Sequence, residues 1–259
     1  MKYERELQIA CDIARKAGEL ALHYFSGETP TEEKYDSSPV TIADRECERL
    51  ISRLLQENFA GDGILGEEGS LIASQTGRRW LIDPIDGTKD FVRRNSFWSV
   101  QLALQIENQV ALGVIYCPCL NEMLYAVSGA GCFWNDTKVS CSMINRLDKS
   151  VLMVSGFAQT WHSWPPVSVR LLTEKSWIVR CYGGCFDIMT LARGKAEIWL
   201  SGRGMEWDYA PIQIIAKECG AIFLTKEGNN RIDMKHCVVC VPGIENEIRS
   251  ILDIPKTEG

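Results

Sequence analysis

The chain has 259 residues, of which 46% are apolar and 24% charged, with 28 basic against 34 acidic side chains for a formal charge of −6. That length and balance fit one large core or two closely packed subdomains, and give no electrostatic footprint for a nucleic-acid backbone or an anionic membrane. No apolar run approaches the length of a bilayer span, and the opening residues lack the basic-then-apolar order of a secretion signal, so no membrane partner and a cytoplasmic location are expected.

Residues 5 to 25 place Ile9, Ile13, Ala17, Leu20 and Tyr24 on one face at helical spacing, an amphipathic helix. A polar stretch follows to Ser38, then a second helix from about Thr41 to Phe59, stopped by Gly61-Asp62-Gly63. The middle is β-rich. Arg79 to Asp83 reads as a short strand, Ser99 to Ile106 alternates cleanly, and Val110 to Tyr116, Met123 to Val127 and Cys132 to Trp134 continue a meander. The remainder alternates strand and helix: strands at 151–155, 176–180, 196–200, 221–224 and 236–241, with helices near 167–174, 186–193 and 207–219 and one at the end. An α+β half, residues 1–145, is therefore expected to meet an α/β half, residues 146–259, as one catalytic unit. Trp161 to Pro166 reads as an aromatic, proline-rich loop of unassigned role.

The 11 cysteines are odd in number and scattered, which points to reduced thiols in the core. Cys237 and Cys240 lie three apart on a strand and face opposite ways, and Cys117 and Cys119 have no second pair at ligand spacing, so structural zinc is not expected.

Acid concentrates in four places: Asp44, Gly66-Glu67-Glu68-Gly69, Asp83-Pro84-Ile85-Asp86-Gly87-Thr88 and Trp207-Asp208. Alone, Glu67-Glu68 reads as a solvated pair, Trp207-Asp208 as a helix cap, and Asp44 as first-turn charge. The motif from Asp83 to Thr88 is different, because two acids beside an apolar strand need a reason. Pro84 forbids regular continuation of the strand and Gly87 permits a tight turn, so both carboxylates and a backbone carbonyl can be aimed at one point. Converging carboxylates repel, and a hard divalent cation relieves them; an all-oxygen site selects Mg²⁺, Mn²⁺ or Ca²⁺ over zinc. Two ions so held would activate a water and stabilise a leaving alkoxide, the two-metal route to phosphate ester cleavage, with the N–H groups of Gly87 and Thr88 suited to the phosphate.

Ser38-Pro39-Val40-Thr41-Ile42-Ala43-Asp44, Gly66-Glu67-Glu68, Trp80 to Thr88 and Trp207-Asp208-Tyr209-Ala210-Pro211 resemble, in order and spacing, the inositol monophosphatase family, over essentially the whole chain. The resemblance implies a layered αβαβα sandwich and Mg²⁺-dependent hydrolysis of a small-molecule phosphate monoester, with two or three ions, Mn²⁺ as a substitute, and a homodimer. It implies that Glu67, Asp83, the carbonyl of Ile85, Asp86 and Asp208 hold metal, that Thr88 with Glu67 orients the attacking water, and that Gly87 and Thr88 receive the phosphate. Lys34 and Asp44 match positions that shape the entrance and a weaker metal site, and Glu68 matches a supporting acid.

Haloacid-dehalogenase phosphatases carry acids two apart, one as nucleophile. Here Asp83 and Asp86 are three apart, which favours direct attack by water over an aspartyl-phosphate. For substrate, Gly183-Gly184-Cys185-Phe186 resembles the histidinol-phosphatase branch, with Gly184 in place of its acid; Asp187 is a candidate replacement. The inositol branch has a Glu where this chain has Ser201. Lys89-Asp90-Phe91, Arg94-Asn95 and Glu206-Trp207-Asp208 resemble the branch acting on 3′-phosphoadenosine 5′-phosphate, with Arg93, Arg94 or Arg203 as candidates for its second phosphate or as plain surface charge. Histidinol phosphate or a polyol phosphate stands first and the nucleotide second. A non-catalytic binding or regulatory protein on the same scaffold is the rival of another class.

Overall fold

The computed structural model describes residues 2–27, 31–33, 39–183 and 185–256. Its first helix, α1 (Glu4–Ser26), buries Ala10, Ile13, Ala14, Ala17 and Ala21 at spacings of three and four. Small residues let it lie close to the sheet below: a side chain on Gly18 would come within 2.7 Å of Pro118 and Tyr116. Strands β1 (Thr31–Glu33) and β2 (Pro39–Thr41) pair antiparallel and lead into α2 (Ile42–Asn58). Thr41 starts that helix by accepting from the N–H groups of Ala43 and Asp44, while Asp44 reaches back to the Thr41 N–H, a reciprocal cap.

Eight strands form the first sheet: β3 (Gly63–Gly66), β4 (Leu71–Ile72), β5 (Arg78–Asp86), β6 (Ser99–Ile106), β7 (Gln109–Cys117), β8 (Glu122–Val127), β9 (Gly131–Trp134) and β10 (Thr137–Val139). Their order is β10-β9-β8-β7-β6-β5-β3-β4, antiparallel except where β3 runs parallel to β5. A single-turn helix, α3 (Thr88–Val92), follows β5. Strand β5 runs past Pro84 to Asp86, beyond the break expected at Asp83, because the chain absorbs the proline in a register shift and rejoins β6 at Asp86.

The second sheet has order β12-β11-β13-β15-β14, from β11 (Val151–Val154), β12 (Ile178–Arg180), β13 (Ile198–Ser201), β14 (Ile222–Leu224) and β15 (Cys237–Cys240). Helices α4 (Phe157–Ser163), α5 (Pro166–Lys175), α6 (Phe186–Ala192), α7 (Glu206–Cys219) and α8 (Glu245–Leu252) complete the described chain. Trp161 to Pro166 is thus the end of α4 and the start of α5; Trp164 is buried, its Nε1–H donating to the carbonyl of Ser201.

Strand periodicity sorts these elements into layers. Trp80, Ile82, Leu102 and Leu112 pack on α1 and α2, while Leu81, Ala103 and Ile115 face the other way, onto α6 and α7. In β15, Cys237 and Val239 face that same middle layer and Val238 and Cys240 face α5 and α8, so the two cysteines do point apart. The result is helices, sheet, helices, sheet, helices. None of the described helices is long and apolar enough to cross a membrane.

Candidate active site

Asp83 shares its face of β5 with Leu81, toward the middle helical layer, and α7 supplies the group that meets it there. Pro211, inside α7, sits on β7 at Gly113, where a side chain would approach the proline Cα to 2.7 Å. That close crossing fixes the first turn of α7, and with it Asp208, over the end of β5. Asp208 Oδ2 accepts from the N–H of Met205 at 2.6 Å, so the acid also caps its helix.

Glu67 enters from the neighbouring strand. Gly66 pairs in parallel register with Ile82, and the Glu67 N–H donates to the Ile82 carbonyl at 3.1 Å, which sets Glu67 beside Asp83. Carboxylate oxygens of Glu67, Asp83 and Asp208 all lie within 4.8 Å of one another.

The register shift in β5 brings in Asp86. Asp83 stands opposite Gln101 and Asp86 opposite Ser99, so three steps on β5 match two on β6. Acids three apart on a regular strand would face opposite sides; the extra residue puts both on one side. Asp86 Oδ2 is buried with no hydrogen-bond partner, and the Ile85 carbonyl accepts a 3.2 Å bond from Thr88 Oγ1.

Gly87 then turns the chain with φ +88°, and a side chain there would strike the carbonyl of Phe97 at 2.9 Å. Only glycine fits. The N–H groups that follow open α3 and have no carbonyl of their own helix to bond. Thr88 Oγ1 also lies 3.4 Å from Asp44 Oδ1. Asp44, 1% exposed, has its other oxygen on Thr41, so its carboxylate serves both the cap and Thr88.

Burial and mutual repulsion raise the acids. Asp83 is held well above the carboxylate range, first by burial and then by Glu67, Asp86 and Asp208, with which it shares a hydrogen bond. Burial and the charges of Glu67 and Asp86 push Asp208 up to about 8. Asp86 rises to about 6 for the same first cause, opposed by donation from Cys185. Carboxyls that raise one another in this way, with the unpartnered buried oxygen of Asp86, form a set of hard oxygen donors, and a divalent ion fits this chemistry.

Glu48, which spacing alone did not single out, supports this set. It is 2% exposed and accepts from the N–H groups of Glu68 at 2.7 Å and Ser70 at 2.8 Å, clamping the turn that carries Glu67 and Glu68. Its signal was its place one helical turn beyond Asp44, on the same face of α2.

The remaining residues divide. Lys34 and Gly184 lie outside the described residues. Gly183 adopts φ +94°, and Cys185 is buried against Asp86. Asp187 is fully buried, one oxygen accepting from the N–H of Tyr182 and the other without a partner, so it braces the loop from beneath. Arg94 donates to the carbonyls of Tyr24, Phe25 and Gly27, closing the end of α1, and is not held out for a phosphate. Glu206 pairs with Arg79. Ser201 is buried, its hydroxyl 3.0 Å from that of Tyr209. A cleft of about 1080 Å³ lies elsewhere, lined by residues including Arg79, Gln105, Lys217 and Phe223.

Comparison with known proteins gives the family. A histidinol-phosphatase from Chlorobaculum parvum is 36% identical over 231 residues, 88% of each chain. A fructose-1,6-bisphosphatase/inositol-1-monophosphatase from Thermotoga maritima is 30% identical over 86% of this chain and 87% of its own. The solved extragenic suppressor protein suhB from Bartonella henselae superposes with a TM-score of 0.90 at 25% identity, over 99% of this chain and 100% of that one. Other proteins of this fold have been solved with Mg²⁺ and phosphate or with Ca²⁺. The family model described as the inositol monophosphatase family matches residues 2–253, and the chain belongs to that family of phosphoric monoester hydrolases.

Proposed function

We propose that this phosphatase is Mg²⁺-dependent and hydrolyses the phosphate monoester of a small alcohol carrying a positive charge, with histidinol phosphate as the first candidate. The observation that carries the reaction is the convergence of Glu67, Asp83 and Asp208 within 4.8 Å, with Asp86 adding an unpartnered buried oxygen. In this reading Glu67, Asp83, the Ile85 carbonyl, Asp86 and Asp208 hold the ions. When bound, Mg²⁺ compensates the carboxylates and the phosphate and makes water acidic enough to attack at neutral pH.

The residues of the chain do the rest. The N–H groups of Gly87 and Thr88 orient the phosphate. Thr88 Oγ1, with Glu67, positions the attacking water; Asp44, itself fixed by Thr41, accepts the Thr88 hydroxyl proton as that water gives up its own. No aspartyl-phosphate forms, since Asp83 and Asp86 are committed to the cations.

Acidic charge near the Cys181–Gly183 segment supports a cationic alcohol. Burial pushes the Cys181 thiol up, and the charges of Asp187 and Asp90 nearby add to it. Among the described residues neither forms an ion pair, and Asp90 Oδ2 comes within 3.2 Å of the position a side chain on Gly183 would take. Asp90, partly exposed, is the acid open to a cationic ligand; Asp187 is fully buried, and burial pushes its carboxyl up to about 7. Ser201, turned to Tyr209, offers no carboxylate to a sugar hydroxyl, which places polyol phosphates second.

Phosphate release from histidinol phosphate, inositol 1-phosphate, 3′-phosphoadenosine 5′-phosphate, fructose 1,6-bisphosphate and glycerol 2-phosphate, each with Mg²⁺ and with EDTA, tests the proposal. Histidinol phosphate is expected to lead, and only with metal. A lead by a neutral substrate would refute the substrate reading; release that survives EDTA would refute the metal reading.

A further inference from the structure

Cys141 and Cys219 lie 78 positions apart in sequence and side by side in the fold. Cys141 belongs to the segment that leaves β10, and Cys219 is the last residue of α7. Their backbones are already tied, the Cys141 N–H donating to the Cys219 carbonyl at 2.8 Å. The Cys141 sulfur stands 3.7 Å from the position a side chain on Gly220 would take, directly beside its partner. The Cys219 thiol donates to the carbonyl of Ala216 at 3.3 Å, and the proximity of the two thiols lowers that of Cys141 and, with burial, raises that of Cys219. Cys141 is partly exposed while Cys219 is buried, and the 1080 Å³ cleft reaches Lys217 and Gly220 at this end of α7.

We propose that Cys141 and Cys219 are a redox modification site, closing to a reversible disulfide on exposure to a hydroperoxide. The exposed sulfur reacts first: the Cys141 thiolate attacks the peroxide O–O bond, giving a sulfenic acid and one water from hydrogen peroxide. The Cys219 sulfur then attacks the Cys141 sulfur and expels the oxygen as a second water. Two thiol protons leave in the waters, and the two electrons that the thiols lose reduce the peroxide. A dithiol reverses the bond by exchange. Backbones held at hydrogen-bonding distance bring the two residues within the approach that a disulfide requires. The bond fastens the far end of the helix whose first turn carries Asp208 to the chain leaving the first sheet.

Trypsin isolates the two cysteines in peptides 139–146 and 218–226. The purified full chain is treated with hydrogen peroxide, alkylated without reduction, digested and weighed. The expected product is these two peptides joined, two hydrogens lighter than their sum, separated again by dithiothreitol, with Tm higher by about 5 °C before reduction. Cys141→Ser is expected to abolish both the joined peptide and the shift; Cys219→Ala is the second variant, leaving Cys141 to overoxidise. Recovery of Cys141 as the alkylated thiol, or its linkage to buried Cys132 or to exposed Cys181, would overturn the proposal. Mass and melting report on the thiols whatever the substrate proves to be.

Discussion

Asp208→Asn separates what the acidic cluster costs the fold from what it gives the chemistry. Burial and the charges of Glu67 and Asp86 push Asp208 up to about 8 from an ordinary 3.8. Between those values the folded, metal-free protein holds a proton that the unfolded chain has released, so stability falls as pH rises through that window and levels above it. At pH 7 the loss has a ceiling of about 4 kcal/mol, from roughly 1.4 kcal/mol per pH unit over about three units. Asp208 keeps some solvent contact, which brings the figure to about 2 kcal/mol. Asparagine retains an acceptor for the Met205 N–H, so the helix cap survives while the repulsion goes. In EDTA at pH 7.5 the variant is therefore expected to melt about 4–8 °C above the native protein, the gap narrowing toward pH 4. Saturating Mg²⁺ reverses the order, because the native site gains a counter-charge that the variant binds less well. Melting curves at four pH values, with EDTA and with Mg²⁺, give the answer. A variant that melts at or below the native protein in EDTA, or a gap that does not widen from pH 5 to pH 8, would refute the reasoning.

Asp83→Asn is expected to lower kcat/KM with Mg²⁺ by about a thousandfold, corresponding to several kcal/mol of lost transition-state stabilisation; steady-state phosphate release checks it. Thr88→Val should cost about a hundredfold in kcat with Tm almost unchanged, and Thr88→Ser should restore most of the rate. Gly66→Ala forces a methyl to 2.5 Å from the Glu48 carboxylate; it is expected to destabilise by about 1–3 kcal/mol and to weaken Mg²⁺ binding in calorimetry, as the turn bearing Glu67 shifts. Arg94→Ala should lower Tm by a few degrees through the loose end of α1, and leave the ratio of rates on bisphosphate and monophosphate substrates as it was.

Local period was enough to read α1 and α2, which each bury one face, and the alternation of β6, whose second face is also buried but carries Gln101, Ala103 and Gln105. It missed α3, a single turn, and β10, whose exposed Thr137 and Lys138 carry no alternation. At the site, the motif from Asp83 to Thr88 stands out in sequence because charge follows an apolar strand. The meeting of Asp83 with Asp208 is a product of layer order, and a separation of 125 positions carries no trace of it; only the ordered motifs do. Asp44 and Glu48 look like ordinary helix charge until the fold shows one beside Thr88 and the other beneath the Glu67 turn. Arg94 shows the reverse error, a cation beside a phosphatase motif whose business is the carbonyls of α1.

The register shift in β5 has a consequence for how this motif can change over time. A strand that kept step with β6 could show two acids on one side only at an even spacing, such as two positions apart. The surplus residue lets a spacing of three serve instead and leaves Ile85 out of the paired register. Motif length therefore encodes ligand chemistry: substitutions around Pro84 can be absorbed one at a time, whereas losing or gaining a single residue removes a donor and turns an acid away together. Divergence in such a protein is confined to side chains at this point in the chain, and length variation is driven to the loops beyond it.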